Sequence, residues 1–330
     1  MTPPKAATLH DVAREAGVSL ITASRALSNP GVVSAKTIAK VQAAVDATGY
    51  IPNLLAGGLK SKRSLMVAGV VPALAVSQFL PTVQSLTNEL SAAGYQLLLG
   101  QTNYDPDVEA SVLNTMIGRQ PDGIVITGLV QSEAARDKLR RSRIPVVETW
   151  DLSDQPIDKL VGFSHQKVGN ALGEYFLQKG WTHIGIASGS DHRARMRRDG
   201  FIAALGREVP TAFVSPPSNL ERGRRALADL LALEPRLDAV CCSSDQLAHG
   251  VMVEAQARGL RIPQDLAICG FGNADFSAHM VPSITTVHVD GPDIGRLAAR
   301  LIIDQCRGAP IAESIIDVGF RIVERESTAG

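Results

Sequence analysis

The sequence predicts an α/β protein with an all-helical N-terminal head and a larger body of parallel sheets in two similar lobes. Three observations carry this. Residues 9–50 place apolar side chains at helical spacing between short turns. From Leu65 onward, strand-like runs alternate with amphipathic stretches. The charge is also divided: residues 1–63 hold eight Lys and Arg against three Asp and Glu, net +5, and the rest hold 25 against 30, net −5. A basic head on an acidic body points to a polyanion that meets the head alone. The 330 residues, 45% of them hydrophobic, allow about two domains with large cores.

In the head, Thr8 precedes "LHDVAREAG" as an N-cap, with Asp11 three residues on as its acidic counterpart. Gly17 ends this helix. Ser19 caps a second, "LITASRAL", which Ser28, Asn29, Pro30 and Gly31 break. Ser34 caps a third, "AKTIAKVQAAVDATG", with Ile38, Val41 and Val45 facing inward. Two helices joined by so tight a turn and braced by a third form a helix-turn-helix. The polar start of the second helix, with Thr22, Ser24 and Arg25, suits a DNA major groove.

In the body the strand-like runs are "LMVAGVVP", "YQLLLGQT", "DGIVITG", "IPVVETW" and "KLVGFS". After "SHQKVGNALGEYFLQKG" the scheme restarts with "THIGIASG", "TAFVSPP", "DAVCCSSD", "DLAICGFG" and "ITTVHVD". Alternation of strands and helices implies parallel sheets covered on both faces. "QPDGIVITG" and "PRLDAVCCSSD" hold the same place in the two halves. Ligands of open parallel sheets sit beyond the carboxyl ends of the strands, here between the lobes. "GSDHRARMRRDG" and "GFGNAD" both leave strand ends.

No apolar run reaches the roughly 18 residues of a membrane helix. The N-terminus lacks the apolar core of a secretory signal, so a cytoplasmic protein without membrane contact is expected. Cys241, Cys242, Cys269 and Cys306 fit no zinc spacing and read as small buried hydrophobes. No Walker loop, G-x-G-x-x-G after a first strand, Ser-His-Asp set or HExxH appears, so neither an enzyme nor a cofactor is expected. His165, His183, His192, His249, His279 and His288 are scattered without metal spacing, as surface or polar-network residues.

The string "TLHDVAREAGVSLITASRALS…VSAKTIAKV…GYIPNLLAGGL" resembles the head of the lactose-repressor (LacI/GalR) family of bacterial regulators. The resemblance implies that Leu20, Ile21 and Arg25 face base edges. Arg25 can give two hydrogen bonds to a guanine, and Leu20 and Ile21 offer apolar contact. Thr8, Ser19, Thr22, Ser24, Ser34, Thr37 and Asn53 would contact or position phosphates. It implies domains at 1–52 (helix-turn-helix), 53–63 (hinge) and 64–330 (effector binding and dimerisation), with chain crossings near 162–166 and 289–293. The hinge would become helical only on DNA, Ala56 and Leu59 entering the minor groove as a wedge. Gly57 and Gly58, each costing about 1 kcal/mol in a helix, fit that coupling.

The same resemblance implies a body like the two-lobed periplasmic sugar-binding proteins, with three crossovers. Its cleft residues would be Gln78 and Phe79 at a first-lobe helix start, Glu148 and Trp150 in "PVVETWD", and Phe163 in "KLVGFS". Arg197 would grip ligand oxygens, with Ser244 and Asp245 beside it. Gly272 and Asn273 stand where relatives commonly carry two aspartates. An arginine kept while a carboxylate is lost points to an anionic ligand. "IPVVETWDLSDQPIDKLVGFSH" and "GFGNAD" look like the gluconate-repressor branch. The expected protein is a homodimeric repressor on a near-palindromic operator, controlled by a sugar acid of gluconate or 2-ketogluconate type. A neutral sugar or sugar phosphate as effector, and a periplasmic sugar-binding protein, are the alternatives.

Overall fold

The computed structural model describes residues 6–51, 63–74, 77–310 and 313–329. Asn53, Ala56, Gly57, Gly58 and Leu59 lie outside the described residues. The chain divides into two compact units between Ser64 and Leu65.

The head is three helices: α1 (Leu9–Glu15), α2 (Leu20–Ser28) and α3 (Ala35–Thr48). The backbone N–H of Thr8 donates to Asp11 at 2.9 Å. The hydroxyl of Ser19 accepts from the Thr22 N–H at 3.1 Å, and that of Ser34 from the Thr37 N–H at 3.4 Å. These contacts satisfy amides that a helix start leaves without partners. Val12, Ala26, Val41 and Ala44 form the core, and Leu27, Ile38 and Tyr50 pack on it. Gly49 stops α3 in the left-handed conformation, at φ +63°.

In the body, six strands form a first sheet: β1 (Met66–Val71), β2 (Gln96–Gln101), β3 (Gly123–Thr127), β4 (Val146–Thr149), β5 (Lys159–Gly162) and β11 (Ile315–Asp317). Their order is β11-β5-β4-β3-β1-β2, with every pairing parallel. A second parallel sheet holds β6 (Ile184–Gly189), β7 (Thr211–Val214), β8 (Ala239–Cys242) and β9 (Ala267–Cys269), in the order β7-β6-β8-β9. Both sheets are wound alike: the first strand lies between the second and the third. β3 and β8, from the two runs matched in the sequence, hold equivalent places. The α/β class with a helical head and a two-lobed parallel body is therefore the fold observed.

The chain changes sheets three times. It leaves the first after β5 through α7 (His165–Lys179), which packs on α8 (His192–Leu205). It returns after β10 (Thr286–His288) through α11 (Gly291–Arg307), which packs on α4 (Leu80–Ala92). After β11 it goes back as β12 (Arg321–Val323), antiparallel to β10. The final residues complete the second lobe: Ser327 bridges Ile268 and Ser283 through its backbone and is fully buried.

One close approach positions the cleft. A Cβ at Gly169 of α7 would lie 2.0 Å from the Arg197 carbonyl oxygen, and one at Gly200 of α8 would lie 2.3 Å from that of Gln166. Only glycine lets these backbones touch. Their contact brings His165, at the start of α7, against Arg197 on α8.

Candidate functional site

The exposed start of α2 is the head's candidate nucleic-acid face. Leu20 is 37% and Ile21 63% exposed, and Arg25 is exposed beside them. Thr8, Ser19 and Ser34 are exposed, while Thr22, Ser24 and Thr37 are half-buried. The hydroxyls of Ser19 and Thr22 lie 2.8 Å apart, and those of Ser34 and Thr37 lie 2.9 Å apart. Each pair is thus fixed by its own helix start. An unpaired apolar patch flanked by an arginine and ordered hydroxyls can offer methyl contact, a guanidinium fork and phosphate donors together.

The body has a cleft between its lobes. An inner chamber is lined by Gln78, Phe79, Tyr104 and Trp150 from the first lobe, His165, and Asp191, Arg193, Arg197, Pro216, Ser218, Ser243 and Ser244 from the second. Its floor is aromatic. Phe79 and Trp150 meet edge to face at 5.1 Å, and Trp150 and Phe163 at 5.9 Å. Trp150 holds the left-handed conformation, φ +62°, a strain of about 1–3 kcal/mol for a large side chain. Its indole end is pinned: the indole N–H donates to the Thr82 hydroxyl at 2.9 Å, and that hydroxyl donates to the Gly291 carbonyl at 2.9 Å.

Arg197 is 8% exposed. Nη1 donates to His165 Nδ1 at 2.9 Å and Nη2 to the Ser243 carbonyl at 3.0 Å, with the guanidinium 4.0 Å above the Phe271 ring. Because Nδ1 accepts, the His165 proton sits on Nε2, which donates to the Trp150 carbonyl at 3.0 Å. Burial holds this imidazole well below its usual pKa, and the Arg197 and Arg193 charges push the same way. It is therefore a neutral acceptor. Burial also pulls Arg197 down to about 10, so it stays cationic at neutral pH.

Of the residues expected in the cleft, Gln78, Phe79, Trp150, Arg197 and Ser244 line it. Phe163 lies behind the wall, packed on Trp150 and on the His165 ring at 4.6 Å. Four do not line it. Glu148 is fully buried: its carboxylate accepts from the Val130 and Ile157 amides at 3.2 and 2.7 Å, with Arg136 at 3.5 Å. Asp245 accepts from Thr286, Ser277 and Ala274 at 2.6–2.7 Å, holding together the loops after β9. Asn273 accepts from Arg325 at 2.6 Å and donates to His288 at 3.0 Å. Gly272 has φ +120°, and a Cβ there would meet the Gln78 side chain at 3.0 Å. At this φ any side chain is strained, so a carboxylate placed there carries that strain and crowds Gln78.

The structure adds Tyr104, His165, Asp191, Arg193, Ser218 and Ser243 to the expected set. Arg193 stands four residues before Arg197, so helical spacing alone puts both on one face. His165 stands three residues after a strand end, where the strand-end rule applies. Both signals are in the sequence. Ser243, directly after the end of β8, carries the strand-end signal as well, whereas Ser218 lies in a loop and carries no such mark.

A helix-turn-helix unit followed by two lobes around a polar cleft defines a ligand-responsive DNA-binding regulator. A model for bacterial regulatory proteins of the lacI family matches residues 8–53, and one for a periplasmic binding protein-like domain matches residues 174–328. The HTH-type transcriptional regulator GntR of Pseudomonas aeruginosa is 34% identical over 327 residues, 97% of this chain and 95% of that protein. The crystal structure of a LacI-family transcriptional regulator from Silicibacter pomeroyi superposes with a TM-score of 0.91 at 35% identity, covering 98% of this chain and 99% of that one. The structure of transcription regulator GntR from Chromobacterium violaceum gives 0.77 at 35% identity, over 80% of this chain and all of that one. The chain belongs to the lacI family of bacterial regulatory proteins. Among the described residues, no helix is long and apolar enough to cross a membrane.

Proposed function

We propose that this LacI-family regulator is a cytoplasmic, homodimeric, non-enzymatic repressor whose grip on operator DNA is controlled by a sugar acid of gluconate or 2-ketogluconate type. The observation that carries the effector reading is the buried guanidinium of Arg197, charged and oriented by a neutral histidine in the cleft wall. A fixed cation beside an aromatic floor favours a ligand that joins a carboxylate to a sugar-like chain. The similarity to regulators named GntR points the same way. In the head, Leu20, Ile21 and Arg25 read base edges, and Thr8, Ser19, Thr22, Ser24, Ser34 and Thr37 set the register on phosphates. Asn53 joins the phosphate contacts, and Ala56 and Leu59 extend the contact to the minor groove in the same reading. A dimer presents two heads, so the operator is near-palindromic.

The test is a gel-shift on the DNA upstream of the chain's own gene, with gluconate, 2-ketogluconate, glucose and ribose added in turn. An acid, and neither neutral sugar, should change the shift. A response to glucose or ribose alone overturns the sugar-acid reading and leaves the repressor. Arg25→Ala should weaken specific binding by about 1–3 kcal/mol and leave random DNA unaffected.

A further inference from the structure

Beside the inner chamber lies a wider, open one, walled by the strand ends of the first lobe and the start of α8. Tyr104, Asp191, Arg193 and Pro216 belong to both chambers. On the outer wall, Asp151 is 1% exposed. One of its carboxylate oxygens accepts from the Leu152 amide at 2.9 Å, and the other has no hydrogen-bond partner. Across the same chamber, the Arg193 guanidinium bonds the Tyr104 hydroxyl, while its Nη1 is also buried and without a hydrogen-bond partner. Its guanidinium lies 5.2 Å from the Phe79 ring centre, with Nη1 over Gly128, where a Cβ would come within 3.4 Å. The two groups feel each other's charge but form no ion pair. A buried carboxylate oxygen and a buried guanidinium nitrogen that both lack partners are costly unless a third body satisfies them.

Arg197 differs. Both of its terminal nitrogens already donate to the protein and its plane is laid on Phe271, so that only Nε, buried inside, lacks a partner. It contributes charge from a fixed position and has little geometry to spare.

Resting on the sugar-acid reading, we propose that Arg193 takes the effector's carboxylate and Asp151 its hydroxyl groups, so that these two residues, and not Arg197 alone, select a polyhydroxylated monocarboxylate. The carboxylate gains a charge-assisted donor. A hydroxyl donates to the unpartnered Asp151 oxygen. A sugar phosphate, with its second negative charge, is repelled by Asp151, and a neutral sugar leaves Arg193 unsatisfied.

The experiment is calorimetric titration of the full chain with gluconate and with neutral gluconamide, for the parent, Arg193→Gln, Arg193→Lys and Asp151→Asn. Thermal melting certifies each fold. Arg193→Gln should weaken gluconate about tenfold or more and gluconamide by less than about threefold, since a charge-assisted bond is lost only for the acid. Arg193→Lys keeps the charge without the fork, and should fall between parent and Arg193→Gln for gluconate. Asp151→Asn should weaken both ligands by a similar factor, because the hydroxyls are common to them. Equal losses for both ligands in Arg193→Gln, or parent affinity for gluconate in Arg193→Gln and Asp151→Asn, overturn the assignment while the sugar-acid reading stands. A parent that binds neither gluconate nor 2-ketogluconate overturns the reading itself, and this inference with it.

Discussion

The head closes over six small buried side chains, Val12, Ala13, Ala23, Ala26, Val41 and Ala44. The body buries Phe79, Trp150, Phe163, Phe176, Phe201 and Phe271, together with charged or titratable groups such as Glu148, Asp151, His165, Arg197 and Asp245. The side-chain hydrogen bonds at the head's helix starts join residues three apart. In the body the partners are 32 residues apart for Arg197 and His165, 41 for Asp245 and Thr286, and 68 for Trp150 and Thr82. Local contacts suffice where the task is to present a fixed helix face to solvent. Holding charge away from water requires partners from across the chain, and the body's stability and its ligand site are consequently the same network.

The sharpest way to break this comparison is Asp245→Ala, which strips three donors of a buried acceptor. It should destabilise the body by about 3 kcal/mol or more. Urea unfolding followed by Trp150 and Trp181 fluorescence should show the loss, while the head's helical signal keeps its midpoint. A common shift of both would mean that the two units unfold as one.

Gly272→Ala comes next, with an expected cost of about 1–3 kcal/mol from the positive φ. The crowding against Gln78 should weaken ligand binding as well. A variant of parental stability would show that this loop relaxes freely.

A third measurement uses pH. The folded-state pKa of His165 lies well below its unfolded value, so the unfolded chain binds the extra proton first. Its contribution is fully present above about pH 6.5 and is lost as the pH falls towards the folded-state value, at no more than about 1.4 kcal/mol per pH unit. Arg197, Arg193 and His192 all face this ring and act in the same direction. Unfolding midpoints of parent and His165→Gln between pH 7 and 5 should converge as the pH falls, with the head unaffected. Parallel curves would remove His165 from the linkage.

The smallest effect belongs to the head. Ser19→Ala should lower its stability by about 1 kcal/mol through the lost cap and leave ligand binding by the body unchanged.

How much of this was legible in the sequence follows the same division. Thr8, Ser19, Ser34 and Gly49 mark the head's helices because caps and left-handed stops are decided by neighbours in sequence. The two parallel sheets were legible from alternation, and Arg197 from its motif. Glu148, Asp245 and Asn273 were expected to face a ligand, since buried polar residues at strand ends look alike from sequence. What separates them is whether the protein supplies their partners. It does so for these three, through Ile157, Thr286 and Arg325, and leaves an oxygen of Asp151 unanswered. At Gly272 the sequence shows a glycine in place of a carboxylate but not the positive φ that goes with it.

The late return of the chain has a consequence for synthesis. β11 edges the first sheet, β12 pairs with β10, and Ser327 seals the second lobe. The head's core is complete by Tyr50. At about 5–20 residues per second, translation of the remaining part takes roughly 15–55 s. Through that interval the residues of the head core are already made while the sheets around the cleft are still incomplete.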